Sequence, residues 1–209
     1  MVTGLNEASL ESLIVAQMTA PDGGWRPGDA KNFDPSYCLD LTELVAFVRA
    51  TQPQVADALD LDGDSVTRHK FLARLQGEIT KDGVVSVLRH GVQHLAHHVA
   101  FFFPTPTPGN PRAASLFALN RFSVTRQVRY SRSSPNLAVD LVAFVNGLPV
   151  ATFELKNNIT KQTVEEAVAQ YQRDRDPREL LFGFGRCMAH FPVDDQRVKF
   201  CTALKGKAS

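Results

Sequence analysis

The stretch NLAVDLVAFVNGLPVATFELK, residues 136–156, decides the fold. From Leu137 to Val145 it is apolar apart from Asp140, the pattern of a strand buried on both faces. Residues 149–156 read as a second strand. Asn146-Gly147 between them is a hairpin signal, because both residues tolerate positive φ. A lone carboxylate in so apolar a strand is costly unless something pairs with it. On the second strand Thr152, Glu154 and Lys156 share one face, while Ala151, Phe153 and Leu155 share the other. The hairpin therefore brings two carboxylates and an ammonium together. Neighbouring carboxylates repel unless a cation lies between them, and a hard oxygen-binding ion such as Mg²⁺ suits the position. Such an ion activates water and stabilises charge on a phosphodiester. Lys156 is then placed to hold the water or neutralise the phosphate.

The register tests this reading. A two-residue turn pairs Val145 with Leu148, hence Asp140 with Phe153. That puts Asp140 and Glu154 on opposite faces. The spacing therefore predicts a three-residue loop, type I with a bulge at Gly147. A tight turn without a compensating bulge leaves no shared site.

Outward from the hairpin, FSVTRQVRY (122–130) alternates like a strand, and residues 163–175 carry helical periodicity. Residues 188–193 and 198–204 read as two final strands. Before the sheet, residues 5–19 form a helix with Leu10, Leu13, Ile14 and Met18 at helical spacing. Further helices are read at 39–50, 66–80 and 83–99, and the Pro-rich 104–111 as an extended breaker. The order gives an α/β class, more narrowly α+β with a mixed sheet. We expect one domain over 1–209, with a helical insert at about 39–110 and a sheet core at about 120–205.

Composition is that of a folded globular chain: 44% hydrophobic, 22% charged, formal net charge +1. Overall charge thus announces no nucleic-acid partner. Residues 121–133 nonetheless hold Arg121, Arg126, Arg129 and Arg132 and no acid, a local patch suited to phosphates or to a solvated strand face. Cys38, Cys187 and Cys201 have no CxxC spacing and read as reduced thiols. The N-terminus has acids where a leader has bases, and no run approaches the ~18 apolar residues of a membrane span. A cytoplasmic protein with no membrane partner is expected.

Four segments extend the pattern: LRHGVQH (88–94), NRFSVTRQVRY (120–130), VDLVAFVNGLPVATFELKN (139–157) and QTVEEAVAQYQRDRDPRE (162–179). Together with Asp140 and the Glu154-Leu155-Lys156 triplet, they resemble the N-terminal nuclease region of the R (motor and endonuclease) subunit of type I restriction–modification enzymes. That region belongs to the PD-(D/E)xK nuclease superfamily. The resemblance implies a restriction-endonuclease-like core that hydrolyses duplex DNA with a metal-activated water. It implies Mg²⁺ or Mn²⁺ on Asp140 and Glu154, the Leu155 carbonyl as third ligand, and Lys156 as catalytic lysine. A first-helix glutamate, Glu11 or Glu7, is implied as a further ligand. The implied partners are duplex DNA, the specificity and methyltransferase subunits, and an ATP-driven motor. No GxxxxGK[ST] motif occurs, so the motor and its ATP are expected outside these residues. Many members carry Gln-x-x-x-Tyr after the lysine. Here Ala167 stands four before Tyr171 and Asp174 four after Gln170, so Gln170 and Tyr171 are the candidates for that DNA-positioning work, with Arg126 and Arg129 beside them. The rival reading is a docking module whose nuclease fold is degenerate.

Other signals weigh less. Asp29-Ala30-Lys31 repeats the acid-x-Lys pattern but sits in a Pro/Gly loop. His90, His94, His97 and His98 fall in the segment read as helix; structural or DNA-facing roles outweigh a zinc site, which lacks Glu and Cys partners. Arg173, Arg175 and Arg178 alternate with acids and read as surface ion pairs. Phe101 to Phe103 read as packing.

Overall fold

The computed structural model describes residues 7–156 and 163–204, with side chains from Leu10 onward. Helix α1 (Glu7–Met18) is followed by the short strands β1 (Arg26–Pro27), β2 (Phe33–Asp34) and β3 (Leu39–Asp40). Helices α2 (Leu41–Thr51), α3 (Pro53–Ala58), α4 (Val66–Asp82) and α5 (Val84–His90) come next, then the hairpin β4 (Val92–His94) and β5 (His97–Val99). Helix α6 (Pro111–Ala118) leads into β6 (Phe122–Arg129), β7 (Ala138–Val145) and β8 (Leu148–Leu155); α7 (Val164–Arg173) and β9 (Ala189–Val193) close the described chain. The main sheet runs β1-β6-β7-β8-β9. Strands β6, β7 and β8 are antiparallel neighbours, while β1 and β9 pair parallel at the two edges. The fold is α+β with a mixed sheet.

Strand β7 is apolar on both faces because both are covered. Val142 and Phe144 pack with Tyr171 of α7 and with Leu181 and Phe182. Leu141 packs with Leu10 and Val15 of α1, and Ala143 and Val145 with the helical layer of α2, α4 and α5. Helix starts follow their capping residues. The side chains of Asp40, Ser65 and Thr163 accept backbone N–H groups in the first turns of α2, α4 and α7. Asp29 does the same for the short 3₁₀ turn Ala30–Asn32, a local structural use of the second acid-x-Lys triplet.

The structure corrects several sequence expectations. The segment 83–99 is not one helix: Gly91 takes φ +68 and the chain turns back as the β4–β5 hairpin. A Cβ at Gly91 would lie 2.4 Å from the Val99 carbonyl, so the glycine permits this close return. His94 therefore pairs with His97 across a hairpin, and the histidines do not line a helix face. In α1, Leu13 is exposed and Val15 takes the buried place. Pro111 opens α6, with Asn110 as its cap, where only extended chain was expected. Residues 198–204 contribute isolated bridges, Val198 to Val193 and Cys201 to His190, instead of a strand. All three cysteines are free, as expected.

The central hairpin also differs from expectation. Val145 pairs with Leu148, so Asn146 and Gly147 form a tight two-residue turn with φ +52 and +83. No three-residue loop or bulge at Gly147 is present. The register shifts one step further along instead: Phe144 faces Pro149, and Ala143 faces Ala151, leaving Val150 as the extra residue. The turn is buried. Asn146 donates to the Phe101 carbonyl (2.7 Å) and the Asn120 side chain (3.0 Å). The Gly147 carbonyl accepts from the Asp40 N–H at the start of α2. A Cβ on Gly147 would meet the Asp40 carbonyl at 2.4 Å and the Leu44 N at 2.6 Å. Gly147→Ala is therefore expected to cost about 2–4 kcal/mol, from positive φ and overpacking together. Denaturant unfolding measures it; a loss under about 0.5 kcal/mol contradicts this account of the turn.

Candidate active site

The ladder between β7 and β8 ends at Leu141–Phe153. One residue further, the same register sets Asp140 opposite Glu154, where the strands fork. The Asp140 carboxylate takes the Leu155 N–H at 2.8 Å, filling the place of a strand carbonyl. The bulge at Val150 restores the parity that a bulge in the turn was expected to give, setting Asp140 and Glu154 on one face of the sheet. Lys156 follows directly on β8, half-buried, its N–H donated to the Val193 carbonyl of β9 at 2.8 Å. Its charge favours the ionised form of Glu154.

Glu154 is fully buried. Its Oε1 accepts from Arg175 Nε at 2.7 Å, and among the described residues its Oε2 has no hydrogen-bond partner. Burial pushes its carboxyl up to about 7, Arg175 opposes that rise, and the neighbouring charge of Asp140 adds to it. Arg175 is itself buried and spends the rest of its fork on the Tyr130 hydroxyl (3.0 Å) and the Ala138 carbonyl (2.8 Å). It is not the surface ion pair that its neighbourhood of alternating charges suggests. Arg178 is: it pairs with Asp176 in the open. Nothing in the sequence separates the two arginines, because only the fold past the end of α7 turns Arg175 inward.

Behind Glu154 on the same strand, the Thr152 hydroxyl lies 2.7 Å from both the Tyr171 hydroxyl and His190 Nδ1. Thr152 can donate to a neutral ring nitrogen and accept from tyrosine at once. Tyr171 is only 2% exposed, so it braces the strand from beneath. Gln170 is half-buried beside it on α7. Burial pushes the His190 ring down to about 4.

On the other side of Asp140, Gln127 Nε2 lies 3.3 Å from its Oδ1 and 2.8 Å from Glu11 Oε2. Glu11, from α1, is also 3.6 Å from Arg126 Nε. The first-helix glutamate thus reaches the site through Gln127, a residue that the sequence reading passed over between the two arginines it singled out. The Glu7 side chain lies outside the described residues. Arg126 and Arg129 are exposed, whereas Arg121 is committed to Glu43 at 2.6 and 3.0 Å. Among the described residues, no three His, Cys, Asp or Glu side chains gather closely enough to hold a metal ion. Asp140 lies near enough for its charge to act on Glu154, and among the described residues one buried Glu154 oxygen has no hydrogen-bond partner. That donor chemistry suits a hard divalent cation.

The fold and site define an α+β protein with a nuclease-like mixed sheet and an acid pair at a strand fork. A family model described as type I restriction enzyme R protein N terminus matches residues 5–209, and the chain belongs to this family. Comparison with curated proteins found no match. No described helix is long and apolar enough to cross a membrane.

Two outcomes follow from the buried groups. Arg175→Met leaves Glu154 buried without its cation and should cost about 3–5 kcal/mol. Adding Glu154→Gln should recover much of that in a double-mutant cycle; additive losses would deny the coupling. The His190 ring is neutral when folded, but its unfolded form protonates below about 6.5. Its contribution is present above about pH 6.5 and is lost as pH falls toward 4. The effect is on the order of 3 kcal/mol. His190→Gln should flatten this part of the stability–pH curve; an unchanged slope removes His190 as its cause.

Proposed function

We propose that the chain is the metal-dependent endonuclease part of a type I restriction enzyme R protein, hydrolysing phosphodiester bonds of duplex DNA. The observation that carries this is the buried Glu154 Oε2, without a hydrogen-bond partner among the described residues and in the field of a second carboxylate. A buried anion left this way is costly unless a cation completes it. Asp140 and Glu154 would hold Mg²⁺, or Mn²⁺ in its place, with the Leu155 carbonyl as a further oxygen and Glu11 as a reserve carboxylate. Such an ion, when bound, supplies charge that acidifies water and offsets negative charge on the phosphate.

The protein's own groups do the rest. Arg175 fixes the Glu154 carboxylate so that one oxygen is held and the other is available. The Leu155 N–H orients Asp140. Lys156 would orient the attacking water and neutralise the phosphate as it gains charge. The exposed Arg126 and Arg129 on β6 offer phosphate contacts that position DNA without reading its sequence. Gln170 is a contact of the same kind, while Tyr171 acts by keeping Thr152 and its strand in place. The working setting would be the cytoplasmic restriction complex, with specificity and methyltransferase subunits and an ATP-driven motor moving the DNA.

Mn²⁺ titration by calorimetry tests the site. The parent should bind, and Asp140→Ala and Glu154→Gln should each weaken binding by at least about a hundredfold while remaining folded. Binding unchanged in either variant removes that residue from the site. A parent that holds DNA with no need of a divalent ion would support the docking-module reading instead.

A further inference from the structure

Gln127 is at an odd place for a glutamine. It lies inside β6 with φ +49, a left-handed backbone that costs a non-glycine residue about 1–3 kcal/mol. The ladder is intact on both sides of it, Arg126 to Leu141 and Val128 to Val139, so the distortion is confined to this residue. Its side chain is exposed and is not held by packing. What holds it is charge. One nitrogen, Nε2, serves carboxylates from two separate elements, Glu11 of α1 at 2.8 Å and Asp140 of β7 at 3.3 Å. An amide nitrogen carries two hydrogens, one for each acceptor. It brings partial positive charge between two anions that otherwise repel.

A second observation points to a ligand here. Glu154, across the fork from Asp140, is fully buried with an oxygen that has no hydrogen-bond partner among the described residues. Three carboxylates thus lie about the fork, and among the described residues a neutral amide links two of them, with Arg126 3.6 Å from Glu11 at the rim.

We propose that the Gln127 carboxamide is a stand-in for the divalent cation, bridging Glu11 and Asp140 in the ion-free chain and leaving when the ion arrives. The inference rests on the metal-dependent reading above and goes further by giving Gln127 a role and Glu11 a route into the site. An amide shares two hydrogens weakly, whereas a dication binds carboxylate oxygens directly, so the exchange runs toward the ion. The exposed side chain has a path outward. Gln127 therefore sets how tightly the site takes its metal and adds a polar link between α1 and the sheet.

The experiment compares wild type, Gln127→Asn and Asp140→Ala. Asparagine tolerates the left-handed backbone but is one methylene too short to bridge both acids. Calorimetric titration with Mn²⁺ should show Gln127→Asn binding about tenfold tighter than wild type, the equivalent of one charge-assisted hydrogen bond no longer broken. Without metal, Gln127→Asn should melt below wild type; saturated with Mn²⁺, the two should melt alike. Equal or weaker Mn²⁺ binding by Gln127→Asn, with Asp140→Ala still losing the metal, overturns the stand-in and leaves the nuclease reading untouched. If wild type takes up no Mn²⁺ at all, the metal reading fails, and the stand-in fails with it.

Discussion

The pairing register of β7 with β8 is the constraint on which the site depends. A two-residue turn alone would put Asp140 and Glu154 on opposite sides of the sheet. The extra residue at Val150 reverses that parity before the strands reach the fork. The turn cannot slip to compensate, because it is buried and bonded on every side. Asn146 is tied to Phe101, Asn120 and Arg121, and the Gly147 carbonyl to Asp40. The helical layer thus acts as a clamp on the far end of the hairpin. Its consequence appears at the near end, where the acids meet.

Charge balance at that near end is managed by Arg175, just past the end of α7. Glu154 and Arg175 form a buried pair whose desolvation offsets most of its attraction, so the pair is poor evidence for stability. Its value lies in direction. The arginine occupies one oxygen of Glu154 and anchors to Tyr130 and Ala138, leaving the second oxygen without a partner among the described residues. The Thr152, Tyr171 and His190 hydrogen bonds brace the same strand one step away. A buried polar network of this kind fixes geometry because each member loses more when unpaired than it gains when paired.

Helix α1 joins the site from the other face. Leu10 and Val15 pack on Leu141 and Leu155, which lie next to Asp140 and Glu154. The apolar contact that seats the helix is therefore the one that delivers Glu11. Gln127 converts that proximity into a link between α1 and the sheet. Belonging to the R-protein N-terminal family gives this arrangement its setting in a restriction enzyme.

Much of this was legible in the chain. Apolar runs broken once by Asp140, alternation around Thr152, Glu154 and Lys156, and the Asn-Gly turn specify a hairpin carrying charged groups, because strand periodicity and turn chemistry are local properties. The helices near 39–50 and 66–80 were legible from periodicity, whereas the break of 83–99 at Gly91 was not, because it depends on a close return of the chain. The bulge at Val150 was not legible: a bulge is one residue of register, and register is set by what both strands bury. Arg175 and Gln127 were hidden for a related reason. A charge beside other charges reads as surface, and only the path of the chain after α7 carries Arg175 into the core. A glutamine between two arginines reads as strand filler until α1 and β7 place carboxylates on either side of it. The sequence by itself determined which strands form and which carry the acids. Tertiary structure alone decided how those acids face, what neutralises them and what waits between them, since those depend on contacts between segments distant along the chain.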